Sequence, residues 1–149
     1  MRLRGAKLKG TNLTYATLQG VDLTDANMRG ADLSFAEISH AHFTRAKLRG
    51  ATFIGTRIAD ATFDGADLKS AMFTDVKLVD VSLRQALGIR DALFTGTCVY
   101  TEETTWPYGF TKPGTIRSRA FLELMERHND SLLNHLATPD APTGAGEDS

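Results

Sequence analysis

Residues 30–70 read GADLSFAEISHAHFTRAKLRGATFIGTRIADATFDGADLKS, and written in fives the stretch has one composition at each place. Every fifth residue is large and apolar: Leu33, Ile38, Phe43, Leu48, Phe53, Ile58, Phe63 and Leu68. Two residues before each stands a small one: Ala31, Ala36, Ala41, Ala46, Ala51, Thr56, Ala61 and Ala66. The same register runs outward without an insertion, back to Leu3 and on to Leu83. A period of five fits no single ordinary element. An α-helix turns about 100° per residue, so steps of five wander around its surface. A flat strand changes face at each residue, so steps of five alternate sides. Within one unit the small and the large residue are two apart, so a short extended segment points both inward. The next small residue comes three later, an odd step, and the chain must bend there to keep pointing inward. One short strand and one corner per unit closes a coil after a few units. Gly5, Gly10, Gly20, Gly30, Gly50, Gly55 and Gly65 all stand two residues after a large centre, where a corner wants permissive backbone.

The segments GADLSFAEIS, RAKLRGATFI and DATFDGADLK resemble the A-(D/N)-L-x-x signature of pentapeptide-repeat proteins. The resemblance covers Met1 to about Gln85. It implies an all-β chain, a right-handed quadrilateral β-helix solenoid with four units per coil, and coils stacked at about 4.8 Å. The visible repeats give a little over four coils. Residues Ala92 to Phe110 (ALFTGTCVYTEETTWPYGF) resemble a tail that follows such repeats, Y-x-x-x-T-x-W-P-x-G-F, matched at Tyr100, Thr104, Trp106, Pro107, Gly109 and Phe110. An open coil end exposes unpaired strand edges and core side chains. Trp106 and Phe110 are large enough to cover them, so both are expected to cap the coil, with partner binding as the alternative.

Pro113-Gly114 then breaks the chain. Beyond it Phe121, Leu124, Met125, Leu132 and Leu136 recur at helical steps, with Ser118 placed to cap the start. The expected organisation is a β-helix over 1–99, a capping segment over 100–114, a short C-terminal α-helix over 115–137 and a disordered tail over 138–149. The helix either lies on the coil or pairs with the same helix of a second chain. Ahead of Leu3 the first coil has an open edge guarded by Arg2, Arg4, Lys7 and Lys9. That edge is tolerated as it stands, pairs with a second chain, or continues into an upstream segment. The helix and the coil end are therefore two routes to a homodimer.

Side chains four units apart should stack in columns. Face one is centred on Leu3, Leu23, Phe43, Phe63 and Leu83, and face two on Leu8, Met28, Leu48 and Leu68. Face three is centred on Leu13, Leu33, Phe53 and Phe73, and face four on Leu18, Ile38, Ile58 and Leu78. Phe43 on Phe63 and Phe53 on Phe73 should form internal ladders, core rather than a cofactor box. Outside, Lys9, Arg29, Arg49 and Lys69 follow the face-two centres and make a basic stripe, with Lys7, Asn27, Lys47 and Asp67 on its other side. Like charges about 5 Å apart repel, so the stripe is either a solvated edge or a surface for an anion. On face three Tyr15 and Phe35 should stack outside the coil and, with Ile54 and Met72, form an apolar strip. Such a strip usually has a partner, here the apolar side of the C-terminal helix or another protein.

Seventeen basic and 18 acidic residues give the 149-residue chain a net charge of -1, which predicts neither a general nucleic-acid binder nor an acidic decoy. The single cysteine, Cys98, excludes an internal disulfide and suits a reducing compartment. No apolar run is long enough to span a bilayer, and Met1 to Gly10 has no apolar core of a leader, so a cytoplasmic protein is expected. No catalytic, phosphate-binding or dinucleotide motif is present, and His40, His42, His128 and His135 lack the partners of a metal site. No enzyme activity, cofactor or metal is expected. The expected function is that of a non-enzymatic protein-interaction or scaffold module with a protein partner. The family supplies an alternative, mimicry of duplex DNA toward a type II topoisomerase. The basic face supplies another, binding of nucleic acid or anionic lipid, although nucleic acid is not the favoured partner. The acidic residues Asp22, Asp25, Asp32, Glu37, Asp60, Asp64, Asp67, Asp75 and Asp80 scatter among cations, which weakens the mimic.

Overall fold

The computed structural model describes residues 1–136. They fall into two compact units, Met1–Arg117 and a second that begins at Ser118. The first is a four-sided β-solenoid. Its strands in chain order are β1 (Thr17–Gln19), β2 (Glu37–Ser39), β3 (Thr52–Ile54), β4 (Arg57–Ala59), β5 (Met72–Thr74), β6 (Lys77–Val79), β7 (Leu93–Thr95), β8 (Val99–Tyr100) and β9 (Thr115–Ile116). Face four is the parallel sheet β1-β2-β4-β6-β8-β9, and face three carries the parallel sheet β3-β5-β7. Faces one and two are held by single parallel bridges, such as Asp22↔His42 and Asn27↔Lys47. Through four coils each residue pairs with the one twenty positions on, as Leu18 with Ile38 and Ile38 with Ile58.

The corners explain why five residues suffice. Every position two after a centre, from Gly5 to Asp80, has positive φ, between 52° and 74°. On faces one and two, and on the first coils of face three, the corner closes with a hydrogen bond such as Ala26 N–H to the Leu23 carbonyl at 3.0 Å, the pattern of a type II turn. The Asp or Asn of the signature has its own task. Its side-chain oxygen accepts the N–H two residues on: Asn12 from Thr14, Asp22 from Thr24 and Asp32 from Ser34, each at 3.0 Å. That local bond fixes the bend just before the corner.

Inside, the large centres and small partners from Val21 to Leu83 are buried. Phe43 stacks on Phe63 with centroids 4.7 Å apart, and Phe53 on Phe73 at the same spacing, as the column alignment predicts. The second ladder runs one step further, Phe73 on Phe94 at 4.7 Å.

The last coil departs from the strict period. Met72 pairs with Leu93, Lys77 with Val99 and Ser82 with Thr105, so the offset grows by one residue at each of three corners. The first addition is a 3-10 turn, Ile89–Asp91, whose Ile89 is buried. Strand pairing thus continues beyond residue 99, the expected limit of the β-helix: β8 pairs with β6, and β9 pairs with β8. Inserted residues hide the period from a reading in fives while leaving the inward positions filled. Cys98 is buried in this coil, its thiol 3.3 Å from the Thr95 carbonyl, and burial pushes its pKa up. It is therefore a poor nucleophile.

The second unit contains helix α1, Arg119–Leu136. Ser118 caps it, its Oγ accepting the Phe121 N–H at 3.1 Å, and Arg119 pairs with Glu123 one turn on. The expected tail over 138–149 lies outside the described residues.

Phe63 is wholly buried, stacked on Phe43 and edge-on to Phe53. Phe63→Ala is expected to cost about 3–5 kcal/mol, measured by chemical denaturation, and Phe63→Leu much less.

Candidate interaction surfaces

The solenoid is filled, so chemistry on offer lies on its outside. Each face presents three outward positions per coil: the residue before the centre and the two after it. Backbone bonds between coils turn these positions into columns.

On face two the column is continuous. Gly10 donates to the Arg29 carbonyl at 2.8 Å, Gly30 to Arg49 at 2.9 Å and Gly50 to Lys69 at 3.1 Å, which stacks Lys9, Arg29, Arg49 and Lys69. The parallel column is Lys7, Asn27, Lys47 and Asp67, joined by backbone bridges and continued by Leu87. Neutralisation is partial. Arg49 lies 3.5 Å from Asp67, and Arg29 reaches Asn27 at 3.3 Å. Among the described residues Lys7, Lys9, Lys47 and Lys69 form no ion pair.

Face three carries the aromatic pair. Tyr15 and Phe35 stack with centroids 5.1 Å apart and planes 14° from parallel. Tyr15 is 74% exposed and Phe35 48%. Both occupy the corner position, at φ of 62° and 60°. The next residue of that column is Gly55, and the Phe35 ring lies so close that a Cβ there would stand 2.7 Å from it. The rings form a ledge along the corner. Ile54, half-buried, belongs to the adjoining column. Met72 belongs to the column on the other side of the centre and pairs with Leu93, also exposed. The expected strip is thus a compact aromatic ledge plus a separate aliphatic pair.

Face one shows a third use of stacking. Arg45 grips Asp25 across a coil with two bonds, Nε to Oδ1 at 2.8 Å and Nη2 to Oδ2 at 3.1 Å, and Arg4 approaches Asp22 at 3.7 Å and Asp25 at 4.0 Å. The Arg45 hydrogen bond holds the Asp25 carboxyl below its ordinary pKa, and the Thr24 hydrogen bonds do the same for Asp22. These pairs are exposed ties between coils, worth little individually. Of the candidate histidines, His40 lies 3.8 Å from Asp60, and no group among the described residues could hold a metal.

At the far end, Trp106 and Phe110 stack at 5.5 Å and lie against Phe94, the last ring of the ladder, at 5.8 and 6.1 Å. Tyr100 meets Trp106 edge-on at 5.2 Å. Trp106 is buried, and among the described residues its indole N–H has no acceptor. A sequence reading in fives missed Phe94 and Tyr100 as members of these columns, because the inserted residues shift them out of step, and it stopped short of Leu87, which still stands twenty residues after Asp67.

A four-sided coil with one inward pair per five residues and outward columns defines a repeat solenoid. The chain belongs to the pentapeptide-repeat family: the family model for pentapeptide repeats in eight copies matches residues 2–30, 26–65 and 46–85. Among solved structures it is similar to alr5209, a pentapeptide repeat protein from Nostoc Pcc 7120, at 30% identity and TM-score 0.57, over 71% of this chain and 84% of that one. It is also similar to Rfr23 from the cyanobacterium Cyanothece 51142, at 25% identity and TM-score 0.46, over 67% of each chain. A third is QnrB1, a plasmid-mediated fluoroquinolone resistance protein, at 20% identity and TM-score 0.47, over 86% of this chain and 83% of that one. No curated protein matches.

Replacing Tyr15 with Gly relieves about 1–2 kcal/mol of left-handed backbone strain and gives back about as much in chain entropy and ring stacking. Tyr15→Gly is therefore expected to leave stability within about 1 kcal/mol of wild type by denaturation. In Arg45→Ala, the Asp25 carboxyl is expected to titrate at higher pH than in wild type, read by side-chain NMR. The depressed Asp25 value stabilises the fold above the unfolded carboxylate pKa and is lost as pH falls through the folded one.

Proposed function

We propose that this chain is a non-enzymatic interaction module, and that the Tyr15–Phe35 ledge is the contact for a protein partner. The observation that carries this reading is the conformation of the two rings. The corner position requires positive φ, which favours Gly, and Asp or Asn after it. Most corners here obey, with seven glycines from Gly5 to Gly65 and aspartates at 25, 60, 75 and 80. Tyr15 and Phe35 accept strain of about 1–2 kcal/mol each, as His40, Arg45 and Ser70 do, and keep their rings 74% and 48% exposed. Neither burial nor backbone geometry accounts for them, whereas aromatic anchors at a rigid corner suit an interface.

The surface hollows give no rival site of catalytic form. One of about 450 Å³ is an open groove beside Asp64, Asp80, Arg84 and Glu103; Ser82 Oγ donates to Asp64 there at 2.9 Å, but no histidine, cysteine or lysine lines the groove to complete a catalytic set. The reading as a duplex-DNA mimic has less support, because mimicry needs columns of carboxylates. Here the longest charged column is cationic, and on face one carboxylates pair with arginines.

The test is capture from native lysate by wild type and by a Tyr15→Gly, Phe35→Gly variant. A protein held by wild type and lost by the folded variant is the expected outcome. The same proteins held equally by both would sink the ledge as the contact.

A further inference from the structure

We infer that face two docks on the surface of an anionic phospholipid bilayer. The chain as a whole has net charge -1, yet Lys7, Lys9, Arg29, Lys47, Arg49 and Lys69 share this face with two carboxylates, Asp67 and, at the far end of the Lys9 column, Asp91. Exposed like charges stacked a coil apart repel, so folding alone does not favour the arrangement. Cross-coil ties of the Asp25–Arg45 kind on face one show that stacked positions here do carry opposite charges elsewhere. Among the described residues of face two only Arg49 forms such a tie, while Lys47 acts on Asp25 at longer range.

The shape of the array selects among anions. The two columns flank each centre, two residues apart along a short extended segment, so they stand about 7 Å apart, with about 4.8 Å between coils. That is a flat array of eight positions, six of them cations, with Asn27 and Asp67 in the second column. A headgroup plane meets all of them together, and polybasic contacts of this kind add up per charge.

Leu87 decides between a bilayer and a nucleic acid. It is the next member of the Lys7–Asn27–Lys47–Asp67 column, bridged to Asp67, and it is 58% exposed. A leucine beside phosphates of a duplex gains nothing, whereas one at the rim of a basic face can enter the acyl boundary beneath the headgroups. The surface is peripheral in this reading, since no described helix is long and apolar enough to cross a membrane. It is also separate from the Tyr15–Phe35 ledge, so either reading stands without the other.

The experiment is sedimentation of the full chain with vesicles of phosphatidylcholine alone and of equal parts phosphatidylcholine and phosphatidylserine. Binding is expected to the mixed vesicles only, and to weaken steeply with added salt. Lys9→Glu alone should lose more than about fivefold, and Lys9→Glu, Arg29→Glu, Arg49→Glu, Lys69→Glu together should abolish binding. Leu87→Ala should weaken it about tenfold without changing the salt response. If the fourfold variant does not fold by circular dichroism, the two single variants decide. Tyr15→Gly, Phe35→Gly should bind as wild type. No sedimentation with mixed vesicles, or equal sedimentation with both kinds, overturns the proposal. So does duplex DNA binding that is tighter than vesicle binding and indifferent to Leu87→Ala, which would assign the face to nucleic acid.

Discussion

A left-handed corner after every large centre is the constraint on which the rest of the molecule depends. Between corners the chain has room for one small and one large inward residue, and without the bend the next pair would point outward. Sixteen successive residues spaced by five accept positive φ, from Gly5 to Asp80. Once they do, the remaining features follow with little freedom. Centres stack on centres, phenylalanines form ladders at 4.7 Å, and every outward side chain is committed to a column. The core is then a consequence of the corner, and so is the surface.

This dependence explains what the sequence discloses. The period of five, the four faces and both phenylalanine ladders are legible because each coil repeats the same inward chemistry. The Ser118 cap is legible because capping is local. The last coil is not, because Phe94, Tyr100 and Trp106 occupy inward places after one, two and three added residues. Nothing in a periodic reading separates an interrupted coil from the end of the solenoid. The structural use of the signature's Asp or Asn is also hidden, since the residue type alone does not tell an outward charge from a side chain spent on the N–H two positions on. At the candidate surfaces, alignment by coils placed Lys9, Arg29, Arg49, Lys69, Tyr15 and Phe35 in their columns. It could not show which cations lack partners, nor that Phe35 lies flush on Gly55.

Two kinds of regularity therefore coexist. Inward columns are filled for stability, the large positions of the regular coils by Leu, Ile, Met and Phe and the small ones by Ala, Val and Thr. Outward columns are free of that demand, so their composition records something else. Some outward positions still serve the fold, as Arg45 does in gripping Asp25, and Asp32 in fixing its turn. A residue already bound to a neighbour in this way is a poor candidate for a partner. The lysines of face two and the rings of Tyr15 and Phe35 are different: among the described residues the first have no ion pair, and the second stack on each other and against the glycine corner.

The position of those residues along the axis adds a further step. Tyr15 and Phe35, Lys7 and Lys9, and the cations up to Lys69 all belong to the four coils with strict twenty-residue register. The irregular fifth coil holds Ile89, Cys98, Tyr100 and Trp106 inward and closes the phenylalanine ladder with Trp106 and Phe110. Strict register keeps outward side chains in straight rows at a constant spacing, which is what a flat or extended partner can match. Insertions destroy that spacing but let large aromatic rings turn across the coil end. A solenoid that needs both properties has to keep them in separate coils, and the chain does so: rows where the period is kept, closure where it is broken. Leu87 stands at the boundary, the last residue of a face-two column before the first insertion.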